Sequence, residues 1–148
     1  MKRIVAAIAV LMILVVPSYA AEEWVVKPSA TSVDETVAKL TAAVEGAGAT
    51  VFATVDHAAG ARAVGDELPP TVLVIFGNPK IGTPIIKADR RAGLDLPLRV
   101  LVWAENDETQ IGYEDPGALK ARYGIEGADD AFAAMTGALD KLTTAAAQ

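Results

Sequence analysis

His57 is the one histidine of the chain, and imidazole is the side chain best suited to proton transfer near neutral pH. It follows residues 50–56, whose alternating apolar positions predict a β-strand. A histidine at a strand end can act as a general acid or base, or it can serve the fold by bonding to a backbone carbonyl. Both roles stay open. Asp56 is a poor catalytic partner for it, since neighbours on a strand point to opposite faces.

A second candidate is the segment GNPKIGTP at 77–84, which interrupts an apolar strand and leads toward a helix. Its two glycines are spaced as in a phosphate loop, but Thr83 stands where that loop needs a lysine, so the segment is not a Walker loop. Backbone N–H groups at a helix start, with Lys80 beside them, predict binding of a small anion or carboxylate. The alternatives are a tight turn with a solvated basic face, or a protein interface. The binding candidates are Asn78, Lys80, Gly82 and Thr83.

Tyr113 is the third candidate, because it ends a predicted strand and could offer its phenol to a ligand. The alternative is core packing as a cross-strand aromatic pair with Trp103. Asp115, followed by Pro116, is first of all a helix cap.

Several chemistries lack the residues they require. The chain contains no cysteine, which removes thiolate nucleophiles, zinc–cysteine sites and haem attachment. One histidine cannot build a transition-metal site in a single chain, although a dimer could share two histidines. No Gly-x-Ser-x-Gly nucleophile motif is present. We therefore expect neither a metal nor a cofactor. The net charge of −6 argues against nucleic acid as a partner, since phosphate attraction drives such binding.

The elements that would position these residues can be read from periodicity and caps. The predicted order is strand, helix, strand, strand, helix, hairpin and then helices. The first strand is predicted at 22–27, where Pro28 ends it, and Ser32 caps the next helix. A later helix is predicted to start at Thr83 and to run to about Arg91, and the last starts near Asp129.

Residues 72–76 are apolar at every position, which indicates a strand buried on both faces or central in a sheet. A tight hairpin follows, at 98–103 and 109–114, and it favours antiparallel pairing. We predict an α+β fold, a small antiparallel or mixed sheet with helices packed on one face.

The N-terminus has the pattern of a cleavable signal peptide. Lys2 and Arg3 precede an uncharged apolar run at 4–16, and Ser18-Tyr19-Ala20 supplies small residues before a cleavage site. The run is short for a bilayer span, which needs roughly 20 apolar residues, although an uncleaved anchor is the alternative. We expect a signal peptide at 1–20, a single domain at 21–148, a periplasmic or secreted location and no membrane association after cleavage.

Five segments together resemble the family known as domain of unknown function 302, or DUF302, across nearly all of the predicted mature chain. They are VDHAAG (55–60), VIFGNPKIGTP (74–84), GLDLPLRVLVW (93–103), YEDP (113–116) and RYG (122–124). The resemblance implies a small α+β domain with a sheet covered by helices, and it implies a homodimer as one form. It supplies no reaction, ligand or catalytic residue.

Three functions follow as hypotheses. The preferred one is a non-enzymatic periplasmic binding module for a small anionic ligand, with its site where the 78–83 loop approaches His57 and the end of the Tyr113 strand. The second is a small enzyme that uses His57 as acid or base and Lys80 as electrostatic stabiliser. The third is a structural or accessory protein whose motifs set a dimer interface.

Overall fold

The apolar runs and helix caps of the sequence form five strands and five α-helices, which the computed structural model describes over residues 24–148. The strands are β1 (Trp24–Ser29), β2 (Thr50–Asp56), β3 (Thr71–Gly77), β4 (Leu98–Glu105) and β5 (Glu108–Glu114). The helices are α1 (Val33–Gly46), α2 (His57–Ala63), α3 (Pro79–Ala88), α4 (Pro116–Tyr123) and α5 (Asp129–Ala146), with a 3₁₀ helix at Arg90–Leu94.

The strands form one antiparallel sheet in the order β1-β5-β4-β3-β2. Strands β2 to β5 follow one another as a meander, and α1 carries the chain from the β1 edge to the β2 edge. The β4–β5 hairpin closes through Asn106 and Asp107, both with positive φ, which is the turn whose twist matches paired strands. The predicted α+β fold is confirmed, and the sheet is antiparallel throughout.

The core lies between one sheet face and helices α1 and α5. Alternate residues of β3 and β4 point toward these helices and are buried, among them Val74, Phe76 and Val100. Leu40 of α1 and Leu139 of α5 are fully buried against them. This period of two along the strands, facing a period near 3.6 along the helices, produces a single apolar layer.

Strand β1 extends further than the sequence suggested. Pro28 lies inside it, opposite Gln110 of β5, so the prediction that Pro28 ends the strand is wrong. The physical reason is position: β1 is an edge strand, where a residue without an N–H costs no ladder hydrogen bond on its open side. Lys27 ties this edge to α5, donating to Asp140 Oδ1 at 2.7 Å and to Thr144 Oγ1 at 2.8 Å.

The predicted signal peptide, residues 1–20, lies outside the described residues. Within residues 24–148, no helix combines the length and the apolar character that a bilayer crossing requires.

Candidate functional site

Helix α3 starts five residues earlier than predicted, because its cap is Asn78 and not Thr83. The Asn78 side-chain Oδ1 accepts a hydrogen bond from the Lys80 backbone N–H at 3.0 Å, and Pro79 occupies the first helical position. The predicted start at Thr83 is therefore wrong, and Thr83-Pro84 lies in the second turn. The helix ends at Ala88, and the 3₁₀ helix that follows replaces the predicted continuation to Arg91.

The backbone N–H groups at this helix start already have partners. Besides the Lys80 amide, those of Ile81 and Gly82 donate to the Asn78 carbonyl oxygen, at 2.9 and 3.0 Å. The interpretation of the 77–84 loop as a cradle of unpaired amides is therefore incorrect. Any attraction for an anion at this end of the molecule must come from side chains.

A pocket of about 290 Å³ lies beside α3. Its walls come from the end of β3, from α3, from α5 and from the segment that leads into β4. Asn78 and Thr83 are the two residues of the lining with polar side chains. The apolar lining residues include Phe52, Phe76, Ile81, Ile86, Leu96, Pro97, Leu98, Met135, Ala138 and Leu142. Met135 is almost fully buried, so its side chain is part of the floor.

Gly82 keeps part of this pocket open. Gly82 is half-buried and lines the pocket. Apart from the backbone of its own helix, no atom lies within 4 Å of a Cβ built on it. A side chain added at this position therefore starts in open space at the pocket lining.

A basic groove adjoins the apolar pocket. Lys80 and Lys87 are seven residues apart on α3, which places them on one side of the helix, two turns from each other. They line the groove together with Pro79, Thr83 and Pro84, and Pro79 and Thr83 also line the pocket. Among residues 24–148, neither lysine has an acidic partner within ion-pair distance. A cationic rim thus borders an apolar interior.

His57 lies at the other end of the sheet. It is exposed and opens α2, directly after Asp56, whose Oδ1 accepts from the Ala59 amide at 2.8 Å. Asp56 pairs with Val72, whereas Asn78 follows Gly77 at the opposite end of β3. Val72 and Gly77 are five residue steps apart along β3, about 17 Å. The predicted convergence of His57 with the 78–83 loop is wrong. Because β2 and β3 are antiparallel, the end of β2 lies beside the start of β3, and the 78–83 loop follows the end of β3.

Tyr113 belongs to the core. Its residue is 4% exposed, and it pairs with Val100 on the helix side of the sheet. Burial, with a smaller contribution from the charge of Asp140, raises the pKa of the Tyr113 phenol. Trp103 pairs instead with Gln110 and points to the opposite face, so the predicted Trp103–Tyr113 pair does not form. Tyr113 does not line the pocket.

Sequence reasoning missed a charged network that joins three distant segments. Asp95 accepts hydrogen bonds from Arg99 Nη2 at 2.9 Å, from Arg122 Nη1 at 2.8 Å and from the Tyr123 hydroxyl at 2.8 Å. Arg122 Nη2 also pairs with Glu114. Burial would raise the pKa of Asp95, but the hydrogen bonds from Tyr123 and Arg122 and the arginine charges outweigh it and lower that pKa.

The network is balanced in charge, since two carboxylates face two guanidinium groups, and it therefore has no net attraction for an ion. It borders a second cavity, of about 320 Å³. Within the described part of the chain, no three His, Asp or Glu side chains are arranged to hold a metal ion.

A family model described as "Domain of unknown function DUF302" matches residues 25–142. This chain belongs to the DUF302 family. The match covers β1 through most of α5, so it includes the pocket, the basic groove and the Asp95 network. The resemblance inferred from the five segments is confirmed.

The DUF302 fold is also found in a solved structure. The chain is similar to an uncharacterized conserved DUF302 protein from Bacillus stearothermophilus, with a TM-score of 0.78 at 19% identity. The similarity covers 86% of this chain and 100% of the other. At this identity the match concerns the fold.

Sequence relatives of this DUF302 chain include longer proteins. It is 42% identical over 95 residues to a protein named Fluoride-specific ion channel FluC 1 from Brucella suis, and equally to one of the same name from Brucella abortus. The similar region is 64% of this chain and 37% and 35% of those proteins. The chain therefore spans little more than a third of these relatives.

Four of the five segments that mark the DUF302 resemblance fall into two places in the structure. Residues 74–84 form the end of β3 and most of α3, and they supply much of the pocket wall. Residues 93–103, 113–116 and 122–124 supply the Asp95 network. The 55–60 segment, which contains His57, lies apart from both. Charged residues at 95, 99, 114 and 122 were a visible signal, but nothing in the sequence indicated that they meet.

Proposed function

We propose that this protein is a non-enzymatic binding module for a small organic anion that has an apolar body and one carboxylate. The observation that carries the proposal is the apolar pocket beside α3, which opens onto the groove lined by Lys80 and Lys87. The signal-peptide pattern of residues 1–20 supports a periplasmic or secreted site of action.

The chemistry of the two cavities favours a ligand with two unlike ends. A pocket of about 290 Å³ lies at the small end of the range for ligand sites, and its lining is mostly apolar. An inorganic anion gains little there, because few donors face the interior to replace its hydration. An alkyl or aromatic body gains about 25 cal/mol for each Å² removed from water. A carboxylate at the rim would then lie beside two ammonium groups while remaining in contact with solvent.

Octanoate is a suitable probe, and calorimetric titration measures its binding. We expect a dissociation constant on the order of 100 µM, given modest ligand efficiency for a molecule of this size. Octanol, which shares the alkyl chain but carries no charge, should bind more weakly. Acetate, which has the carboxylate alone, should give no measurable heat.

Lysine variants separate the charge from the pocket. Lys80→Gln and Lys87→Gln should each weaken octanoate binding about two- to fivefold, as expected for a partly solvated ion pair. Lys141→Gln is the matched control, because Lys141 is an exposed lysine on α5 that lines neither cavity. Equal octanoate affinity in the parent protein and in all three variants would contradict the role of the basic groove.

A pair of glycine variants tests the pocket itself. Gly82→Leu adds a bulky side chain at the pocket lining, whereas Gly137→Leu adds the same side chain on the exposed face of α5, and neither new Cβ meets a neighbouring atom within 4 Å. Both changes improve helix propensity by about 1 kcal/mol, so neither should unfold the protein. We expect Gly82→Leu to abolish octanoate binding and Gly137→Leu to leave it unchanged. Binding that survives Gly82→Leu would overturn the proposal.

A second candidate is favoured by the sequence relatives. The Brucella proteins named as fluoride-specific channels contain a region 42% identical to most of this chain. A domain joined to a channel in one protein can act beside such a channel when it occurs on a separate chain. In that case this chain would be an accessory to fluoride handling, and not a module for organic anions.

Fluoride itself distinguishes the two candidates. If the domain acts in fluoride handling and binds the ion, sodium fluoride raises its melting temperature while sodium chloride at equal ionic strength does not. If it binds organic anions, the two salts have the same effect and octanoate raises the melting temperature. The enzyme hypothesis has no comparable support, since His57 is exposed and lies at the end of β3 opposite to the loop that forms the pocket wall.

A further inference from the structure

Charge is distributed very unevenly along this chain. Residues 79–94, which form α3 and the 3₁₀ helix at Arg90–Leu94, contain four basic residues and one acid, a net charge of +3. The rest of residues 24–148 contains seven basic residues and sixteen acids, a net charge of −9. One short segment is therefore positive in a domain that is otherwise strongly acidic.

The positive segment lies at one end of the sheet. It leaves β3 at Gly77 and returns to β4 at Leu98, which pairs with Phe76, the residue before Gly77. The 3₁₀ helix of the segment packs against α3. We define the basic end of the molecule by four exposed residues of the segment: Lys80, Lys87, Arg90 and Leu94.

Carboxylates collect at the opposite end of the sheet. Asp56 pairs with Val72, and Thr71 pairs with Trp103, so the β2–β3 connection and the β4–β5 hairpin turn lie together there. We define this acidic end by six residues of these two connections and their borders: Asp56, Asp66, Glu67, Glu105, Asp107 and Glu108.

The two ends are far enough apart to act independently. Thr71 and Gly77 are six residue steps apart along β3, about 20 Å. That distance is more than twice the Debye length, which is about 8 Å at physiological ionic strength. The acidic end therefore cancels little of the attraction that the basic end exerts on a negative surface.

The cations of the basic end are available to a partner. Lys80 and Lys87 line the basic groove, and, within the described part of the chain, Arg90 has no acid within ion-pair distance either. Arg91 differs, because its guanidinium pairs with the Asp89 carboxylate at 2.6 Å. The net charge of +3 thus comes from three exposed cations without a protein partner.

We propose that the basic end docks on the surface of a bilayer that contains anionic phospholipid. The cations attract lipid phosphates, since each Lys or Arg near an anionic surface strengthens binding about fivefold. Leu94 supplies an apolar contact, because it is 81% exposed and ends the 3₁₀ helix that Arg90 begins. Cations beside an exposed apolar side chain suit the headgroup region of a bilayer. An acidic protein surface, by contrast, is recognised by the cations alone.

Docking in this way places the acidic end away from the bilayer and the pocket near it. Pro79 and Thr83 line both the basic groove and the apolar pocket, so the pocket borders the docking surface. Amphiphilic anions concentrate in bilayers, and docking brings the pocket to them. This last consequence rests on the proposed function, whereas the docking itself does not.

Such a contact requires no membrane-spanning segment. The expectation of no membrane association after signal-peptide cleavage rests on the lack of a second long apolar run in the sequence. Surface cations and one exposed leucine bind at the level of the headgroups, where no such run is needed.

Co-sedimentation with vesicles tests the proposal. The protein is used in the soluble form in which it is purified, so any contribution of the residues before Trp24 is common to all variants. We expect binding to vesicles of equal parts phosphatidylglycerol and phosphatidylcholine, and no detectable binding to phosphatidylcholine alone. Lys87→Gln and Arg90→Gln should each lower the affinity about fivefold, and added salt should weaken binding. Lys141→Gln, on the exposed face of α5, is the matched control and should bind as the parent does.

A leucine variant distinguishes a bilayer from an acidic protein surface. Leu94→Ser should lower the affinity for anionic vesicles about three- to tenfold, since it removes an apolar side chain that enters the headgroup region. Val64→Ser is its control, because Val64 is 82% exposed but follows α2, outside the basic end, and it should change nothing. Cation variants that lose binding while Leu94→Ser keeps it would indicate a purely charged partner and overturn the proposal. Equal binding to both kinds of vesicle, or full binding by Lys87→Gln and Arg90→Gln, would overturn it as well.

Docking and octanoate binding can fail separately. Vesicle binding is measured without octanoate, and Gly82→Leu should bind anionic vesicles as the parent does. Arg90 lines neither the pocket nor the basic groove, so Arg90→Gln should weaken docking and leave the octanoate affinity unchanged. Vesicle binding that disappears in Gly82→Leu would mean that lipid is held in the pocket, contrary to docking through the basic end.

Discussion

The Trp103 ring lies directly on the backbone of Gly112. A Cβ added to Gly112 would be 3.0 Å from Trp103 Cζ3 and 3.1 Å from Cη2, and 3.4 Å from the Val25 carbonyl oxygen. Gly112 is therefore a close-approach position: the absence of a side chain lets the indole cover the centre of β5.

Gly112→Ala should lower the free energy of unfolding by about 1 kcal/mol or more, since the new methyl group forces the indole away from its packed position. Urea denaturation followed by circular dichroism measures this. Gly60→Ala is the control: nothing lies within 4 Å of its added Cβ, and the helix gains up to about 1 kcal/mol. If Gly112→Ala is as stable as the parent protein, the indole does not pack as described.

Asp95 gives the fold a dependence on acid. Its side chain is 14% exposed, and the pKa of its carboxyl is lowered in the folded protein. The unfolded chain, with an aspartate pKa near 3.9, thus binds the proton more readily. The stability that Asp95 contributes is complete above about pH 5 and is lost as pH falls through the lower, folded pKa.

Asp95→Asn should therefore cost about 1–2 kcal/mol at pH 7, and the difference from the parent should shrink below about pH 4. Chemical denaturation at several pH values measures both. Glu126→Gln, at an exposed carboxylate, should show no such difference at any pH. A penalty for Asp95→Asn that stays constant down to pH 3 would show that the network does not act through the charge of Asp95.

Lys27 should matter more than an ordinary exposed lysine. Its Nζ donates to the Asp140 side chain and to Thr143 and Thr144 on α5. Lys27→Met keeps the aliphatic stem and removes these bonds, so we expect a loss of about 1–3 kcal/mol and faster amide exchange in β1. Lys39→Met, which breaks the Glu35 pair within α1 and an exposed hydrogen bond to the Gln148 carbonyl oxygen, should cost less, about 0.5 kcal/mol. Similar costs for the two variants would contradict a tie between β1 and α5.

His57→Ala should change little. The residue is exposed at the start of α2, so we expect stability within about 0.5 kcal/mol of the parent and an unchanged affinity for octanoate. Denaturation and calorimetric titration of the same preparation measure both quantities. A fivefold change in affinity would mean that His57 reaches the ligand, which the register of β2 with β3 does not allow.

Local patterns in the sequence predicted most of the fold, because their causes are local. Ser32 caps α1 by accepting from the Glu35 amide, and Asp115 caps α4 by accepting from the Gly117 amide, both as the residue types indicate. The periodicity of apolar residues also predicted the β4–β5 hairpin and the buried face of α5. The start of α3 was misplaced because two segments, Asn78-Pro79 and Thr83-Pro84, each offer a cap followed by proline. The earlier one forms the cap, and Pro84 is tolerated inside the helix.

The candidate site was harder to predict because it depends on distant contacts. The strand pairing decides which strand ends lie at the same end of the sheet. Because β2 and β3 are antiparallel, His57 and Asn78 lie at opposite ends. The Asp95 network joins residues 27 and 28 positions apart, at Arg122 and Tyr123, through side chains alone. Lys80 could be named as a binding candidate from its own segment of the sequence. The apolar pocket beside it could not be predicted, because it forms only where α5 packs against α3.

Carbon-13 labelling of the methionine methyl group tests the central claim most directly, since Met135 is the methionine that the described residues contain and it forms part of the pocket floor. Octanoate is titrated into the labelled protein, and intermolecular nuclear Overhauser effects are recorded. We predict a shift of the Met135 methyl resonance that saturates with octanoate, and Overhauser contacts from that methyl to the alkyl chain, both absent in Gly82→Leu. An unmoved Met135 methyl at saturating octanoate, or contacts that persist in Gly82→Leu, would contradict binding in this pocket.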